Sequence, residues 1–213
     1  MEKVLFEDDV FIYKTNVDSD ELRNKALADS LDFLSKTQYM PEDNYGYMPD
    51  WGSFEYGNDM QTKNGIDEII KFAVLKCVEL EKSNSSKFNK VNVNSWVNVV
   101  KAGIPKQSNF KNDKGPVLHN HVNLQKVAES FHPTYTFVYY AQMPNNLSNN
   151  DGTLIIGGSN DNRFYYLPVE GELVVMGGYL PHSPTPAPNS TKNRIVIAGN
   201  VGFEISKTKI TLI

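Results

Sequence analysis

"VNVNSWVNVV", residues 91–100, decides how this chain is read. Val91, Val93, Val97 and Val99 fall on one parity, and Asn92, Asn94, Trp96 and Asn98 fall on the other. A helix would scatter those two sets around its axis. A strand sends them to opposite faces, so the stretch reads as β-structure with one apolar side. The same texture continues downstream in "TYTFVYYAQM", "GTLIIGG", "RFYYLPV", "ELVVMGG" and "RIVIAGNVGFEI". Each run is short, rich in β-branched and aromatic residues, and bounded by Gly, Pro, Asn or Asp. Strands at that density without helices between them indicate a sandwich, jelly roll or barrel.

Upstream the texture differs. "VLFEDDVFIYK" (residues 4–14) reads as a strand pair turning on its acidic residues. "DSDELRNKALADSLDFLSK" (residues 18–36) reads as a helix. Asp18 is placed to cap it, Glu21 takes the capping-box position, and Leu22, Ala26, Leu27, Leu31 and Leu34 form its apolar stripe. A second helix spans about residues 65–82, with Ile66, Ile69, Ile70, Ala73, Cys77 and Leu80 on one side. Between them, "PEDNYGYMPDWGSFEYGND" reads as a long aromatic loop of the kind that walls a site. The expected architecture is α+β and mainly β, a jelly-roll core over residues 91–205 buttressed by N-terminal strands and helices over residues 1–90, in a single domain spanning 1–213.

Composition narrows the function. The 213 residues are 40% hydrophobic and 22% charged, with a formal net charge of -4. That balance belongs to an ordinary soluble globular protein and offers no broad basic footprint, so no nucleic-acid partner is expected. No apolar run approaches the roughly 20 residues of a membrane span, and the N-terminus is too acidic for a signal peptide. The expectation is a cytoplasmic protein without a membrane partner; a homodimer is left open. The one cysteine, Cys77, reads as a small buried apolar residue and not as a nucleophile, because nothing near it supplies a base.

The chemistry-bearing residues lie in the β half. Of four histidines, His119 and His121 stand one residue apart in "GPVLHNHVN". On a strand both rings would enter one space, where a metal ion reconciles them. His182 follows at a strand end, and after a proline-rich loop comes Arg194. Strands distant in sequence converge in a jelly roll, so three histidines from two strands can form a metal set.

These segments, in order, resemble the Fe(II)/2-oxoglutarate-dependent oxygenase superfamily, in its prolyl-hydroxylase-like branch, and within it a group of bacterial and phage members. The carriers are Trp96 and Asn98 in "SWVNVV", His119 and His121, Tyr139 and Tyr140 in "TFVYYAQMP", then "DGTLII", "LPHSPTP" and "NRIVIAGN". The resemblance covers roughly residues 91–203. It implies a hydroxylase that uses Fe(II), 2-oxoglutarate and O2 and releases succinate and CO2. His119, His121 and His182 would hold the iron. Arg194 would grip the distal carboxylate of 2-oxoglutarate through its guanidinium fork. Tyr140, Asn98 and Asn200 would contact the cosubstrate, and the substrate would be a small molecule or a peptide.

Two positions depart from the branch. His121 stands where most members carry a carboxylate, so either it is a ligand or another group, such as Asp151 or Asp161, completes the shell. Val196 stands where many relatives place a hydroxyl, removing one hydrogen bond to the cosubstrate. His132 and Arg163 read as surface residues, and the Asn-rich "PNNLSNNDG" as a hairpin loop. Two rivals stand beside the oxygenase: a cupin-like three-histidine metal enzyme without 2-oxoglutarate, and a non-enzymatic β-sandwich binding module.

Overall fold

The structure, a computed structural model, describes residues 1–7, 9–36, 45–47, 52–55, 62–83, 88–100, 102–103, 118–120, 134–158 and 162–205. In chain order the elements are β1 (Glu2–Glu7), β2 (Val10–Asn16), α1 (Asp20–Lys36), β3 (Tyr45–Tyr47), β4 (Gly52–Glu55) and α2 (Gly65–Ser83). The β half follows as β5 (Phe88–Val100), β6 (Tyr135–Gln142), β7 (Leu154–Gly157), β8 (Arg163–Tyr166), β9 (Glu172–Gly177), β10 (His182–Pro184) and β11 (Arg194–Ile205). The architecture is α+β and mainly β.

Two antiparallel sheets carry the strands. The larger runs β1-β2-β9-β6-β11-β5-β3, with β4 also pairing on β5. The smaller runs β10-β7-β8. One apolar cluster lies between the sheets and joins Ile12, Val138, Val174, Met176, Val196 and Ala198 of the large sheet to Leu154 and Ile156 of the small one. A second cluster lies on the other side of the large sheet. There Phe137, Tyr139, Leu173, Val175, Ile195 and Ile197 meet Ile66, Ile69, Ile70, Ala73 and Cys77 of α2. Each such aliphatic side chain, fully buried, contributes about 1.5–3 kcal/mol, so the helices are held by the parity of the strands beneath them. Cys77 is fully buried, and burial raises its thiol well above the ordinary value.

Close approach makes demands on two glycines. A Cβ on Gly199 would come within 2.6 Å of the Phe137 ring, which lies across β11 on the helix side. A Cβ on Gly65 would come within 2.6 Å of the Ala26 backbone nitrogen, where α2 begins against α1. There the Gly65 N–H donates to Asp29 at 2.6 Å.

The structure corrects several local expectations. Ser19, not Asp18, caps α1 by accepting from the Leu22 N–H at 3.1 Å, which shifts Glu21 off the capping-box position. Leu31 is exposed, and the buried face of α1 runs through Ala26 and Ser30 instead. The stretch expected to be one long loop contains β3 and β4, both paired on β5. "PNNLSNNDG" is no hairpin: it carries the chain from β6 in one sheet to β7 in the other, using positive φ at Asn146, Asn149 and Gly152. His182 does not end the strand before it. β9 stops at Gly177, and His182 opens the separate strand β10.

Candidate functional site

Register fixes which residues look into the space between the sheets. On β11, Val196 lies opposite Asn98 on one side and Tyr140 on the other, and Ala198 opposite Trp96 and Val138. Directly opposed residues share a face. Arg194, Val196, Ala198 and Asn200 therefore look inward with Trp96, Asn98 and Tyr140. Tyr139, one residue away, looks outward into the helix-side cluster.

His182 reaches the same interior from the small sheet. It pairs with Ile156, a member of the interior cluster, and is 5% exposed. Its backbone exchanges two hydrogen bonds with His119, at 3.0 and 2.8 Å, which aligns the two residues side by side. Their ring centroids are 4.7 Å apart, with His182 buried and His119 at the exposed edge. The His182 Nδ1 lies 2.9 Å from the Leu180 carbonyl. A carbonyl only accepts, so Nδ1 carries the proton and Nε2 keeps its lone pair, the tautomer a metal ligand needs. Burial pushes the His182 imidazole down to about 4, with the Leu180 bond opposing and His119 reinforcing. Burial also lowers His119. Both rings thus favour the neutral, ligating form.

Arg194 opens β11. It is 5% exposed. Asn200, six positions along the same strand, is about 20 Å away, where it accepts from the Thr136 hydroxyl at 2.9 Å. β9 leaves the large sheet beside that pair, with Gly177 opposite Tyr135, and the chain reaches His182 five residues later. The histidines enter this interior from the small sheet and Arg194 from the large one. Burial raises the Tyr140 phenol, while Arg194 opposes the rise and Glu172 adds to it. The Asn98 Oδ1 is buried without a hydrogen-bond partner among the described residues, beside Val196.

Glu172 and Tyr166 escape a reading of the sequence alone. Glu172 is 5% exposed and shares the inward parity of Val174 and Met176. Tyr166 donates to it at 2.8 Å. The alternation in "ELVVMG" groups Glu172 with Val174 and Met176, but only the pairing with β6 shows which side is inside.

His121, His132 and Asp161 lie outside the described residues. Among the described residues no third His, Cys, Asp or Glu joins His119 and His182 in a cluster able to hold a metal. Asp151 is buried in the turn before β7, where it accepts from the Ser148 hydroxyl at 2.8 Å. It stands three residues before β7 begins and five before Ile156, the partner of His182. Arg163 opens β8 half-buried.

The fold can be compared with solved structures. A Pseudomonas putida prolyl-4-hydroxylase aligns with a TM-score of 0.56 at 13% identity, covering 90% of this chain and 91% of that one. The chain has the double-stranded β-helix fold of the prolyl-hydroxylase-like oxygenases. An IDO structure from Bacillus thuringiensis shares this fold (TM-score 0.54, 12% identity, covering 90% and 89%). So does a full-length Neurospora crassa protein solved in complex with alpha-KG (TM-score 0.53, 13% identity, covering 90% and 74%). No sequence-family model and no curated protein matches the chain. Among the described residues, no helix of this double-stranded β-helix protein is long and apolar enough to cross a membrane.

Two neutral imidazoles held side by side suit a divalent transition metal. A buried guanidinium flanked by a phenol and an unpartnered amide oxygen suits the far end of a 2-oxoacid.

Proposed function

We propose that the protein is a non-haem Fe(II)/2-oxoglutarate-dependent oxygenase that hydroxylates its substrate. The observation that supports this reading best is the shared interior, which paired imidazoles enter from the small sheet and the buried Arg194, near Tyr140, enters from the large one. His119 and His182 would hold the iron, with His121 as the third ligand, and the Leu180 carbonyl would orient the His182 ring. Arg194 would bind the distal carboxylate of 2-oxoglutarate as a bidentate fork, and Tyr140 would donate its hydroxyl to it. Asn98 would take over from the hydroxyl that Val196 lacks: turning its amide over presents Nδ2 as a donor where the unpartnered oxygen now stands. Asn200, held by Thr136, would line the interior between the sheets. When bound, iron, 2-oxoglutarate and O2 supply the chemistry, an oxidative decarboxylation to succinate and CO2 coupled to hydroxylation of a C–H bond. The protein's share is to fix these groups and to keep water out of the apolar space between the sheets.

Anaerobic titration of metal-free protein with Fe(II), followed by 2-oxoglutarate, tests the proposal. The expected result is a weak visible charge-transfer band that needs both additions. Metal binding without the band would favour the cupin-like rival, and neither response would favour a binding module. His121→Asp sharpens the ligand assignment: it restores the carboxylate usual in this fold and should preserve or tighten Fe(II) binding. Loss of iron from that variant would remove residue 121 from the ligand set.

A further inference from the structure

The carboxylate of Glu172 has no task in the chemistry above, yet it is buried on the inward face of β9. Tyr139 pairs with Leu173, and the next step of that antiparallel register brings Tyr140 beside Glu172. The Gly171 N–H, donating to the Tyr140 carbonyl at 2.8 Å, locks this alignment. On its other side Tyr140 lies opposite Val196, two residues from Arg194. Glu172, Tyr140 and Arg194 thus stand on three adjacent strands at one end of the interior. Both Glu172 oxygens are fixed, Oε1 by the Tyr166 hydroxyl at 2.8 Å and Oε2 by the Val169 N–H at 3.3 Å.

We propose that Glu172 is a specificity-determining residue of the Arg194 pocket: its buried carboxylate weakens the binding of a dianionic 2-oxoacid relative to one whose far end is neutral. This rests on the oxygenase reading of the same site. The warrant is electrostatic. Two strand spacings put the Glu172 carboxylate about 10 Å from β11, and a unit charge at that distance in a partly buried site changes a binding constant by about tenfold. The charge is felt by its neighbours, since Glu172 raises the phenols of both Tyr140 and Tyr166. A polar cavity of about 420 Å³, lined by Glu2, Lys14, Asn16 and Asp18, reaches Glu172 from outside. The opening to solvent there screens part of the field, so the expected effect falls to about three- to tenfold.

The test measures binding, not turnover. Fe(II)-loaded protein, held anaerobic, is titrated by calorimetry with 2-oxoglutarate and with the ester that caps its far carboxylate with a methyl group. Glu172→Gln should tighten 2-oxoglutarate by about three- to tenfold while moving the ester by less than about twofold. Glu172→Asp, which keeps the charge, should retain the parent's ratio of the two affinities. Glu172→Met, neutral and of similar length, carries the same expectation if the glutamine variant does not fold. Parallel shifts of both ligands in the neutral variants would mean that Glu172 only braces Tyr140, and would overturn the proposal. Unchanged ratios would overturn it too. A parent that binds neither compound would instead sink the oxygenase reading, before any substitution is made.

Discussion

β11 is equally buried on its two faces and chemically different on them. Toward the helices it presents Ile195, Ile197 and Val201, each 0% exposed, with Gly199 leaving room for the Phe137 ring. Toward the small sheet it presents Arg194, Val196, Ala198 and Asn200, all under 9% exposed. Burial therefore does not distinguish a structural face from a working one; the polarity of what is buried does. The helix side closes mostly by apolar contact; its polar exceptions include Ser95, opposite Gly199, and the Glu81 carboxylate, which accepts from the Tyr135 hydroxyl at 3.1 Å. The inner side buries a guanidinium, a carboxylate and amides, which are costly in a dry core unless partners or a ligand offset them. That contrast predicts that substitutions on the helix side change stability and leave ligands alone, while those on the inner side do the reverse.

The largest effect should come from the small sheet's contribution to the inner side. On the oxygenase reading, His182→Ala should lower Fe(II) affinity by about a hundredfold or more, since water would not replace a fixed imidazole ligand. Metal content measured after dialysis against a weak chelator gives the answer, and retention equal to the parent's would remove His182 from the metal site. On the helix side, Phe137→Ala should cost about 3–5 kcal/mol in urea unfolding, the range for deleting a buried aromatic ring. The folded fraction should bind 2-oxoglutarate as the parent does; a parallel loss of affinity would break the distinction between the faces.

Arg194→Ala should weaken 2-oxoglutarate by about 2–5 kcal/mol, much of it the penalty of a carboxylate left without its partner. Arg194→Lys should cost less, because a point charge survives without the fork. Both should retain iron. If both variants bind 2-oxoglutarate like the parent, Arg194 is structural and the cupin-like rival gains.

The alternation in "VNVNSWVNVV" and "RIVIAGNVGFEI" makes these faces legible from residue order alone, because a strand's parity is written in its sequence. The expected sheet-rich core with helices against it is the observed fold. What parity leaves open is which face is inner. Tyr139 and Tyr140 are the same residue type, and only pairing with β11 separates them. Glu172 is hidden for the same reason. β10 is not legible because it is only three residues long and ends at Pro184, so its pairing with β7, not local propensity, makes it a strand. The cap moves from Asp18 to Ser19 because both residues suit the role and the sequence does not rank them.

Acid should act through His182. The folded His182 imidazole is held down to about 4, below its ordinary 6.5. Below pH 6.5 the unfolded chain takes up a proton that the metal-free folded protein refuses. Stability is therefore fully present above that pH and falls as pH drops toward 4, by about 2–3 kcal/mol in all. Urea midpoints across that window should slope more steeply in the parent than in His182→Gln. Equal slopes would mean that His182 is not desolvated as described.

The smallest effects test the contrast most finely, by removing one oxygen from each of two adjacent tyrosines. The Tyr139 hydroxyl is buried on the helix side with no hydrogen-bond partner among the described residues. Tyr139→Phe thus removes a desolvated polar group and should leave stability unchanged or raise it by up to about 1 kcal/mol, with no effect on 2-oxoglutarate. Tyr140→Phe removes the hydroxyl that faces the Arg194 pocket, and should weaken 2-oxoglutarate by about 1 kcal/mol, roughly fivefold, with little change in the urea midpoint. Calorimetry and urea unfolding on the two variants, run side by side, give four numbers. If Tyr139→Phe weakens the ligand as much as Tyr140→Phe does, the two faces of the sheet are not separate in function, and the parity argument fails at the residues where it is sharpest.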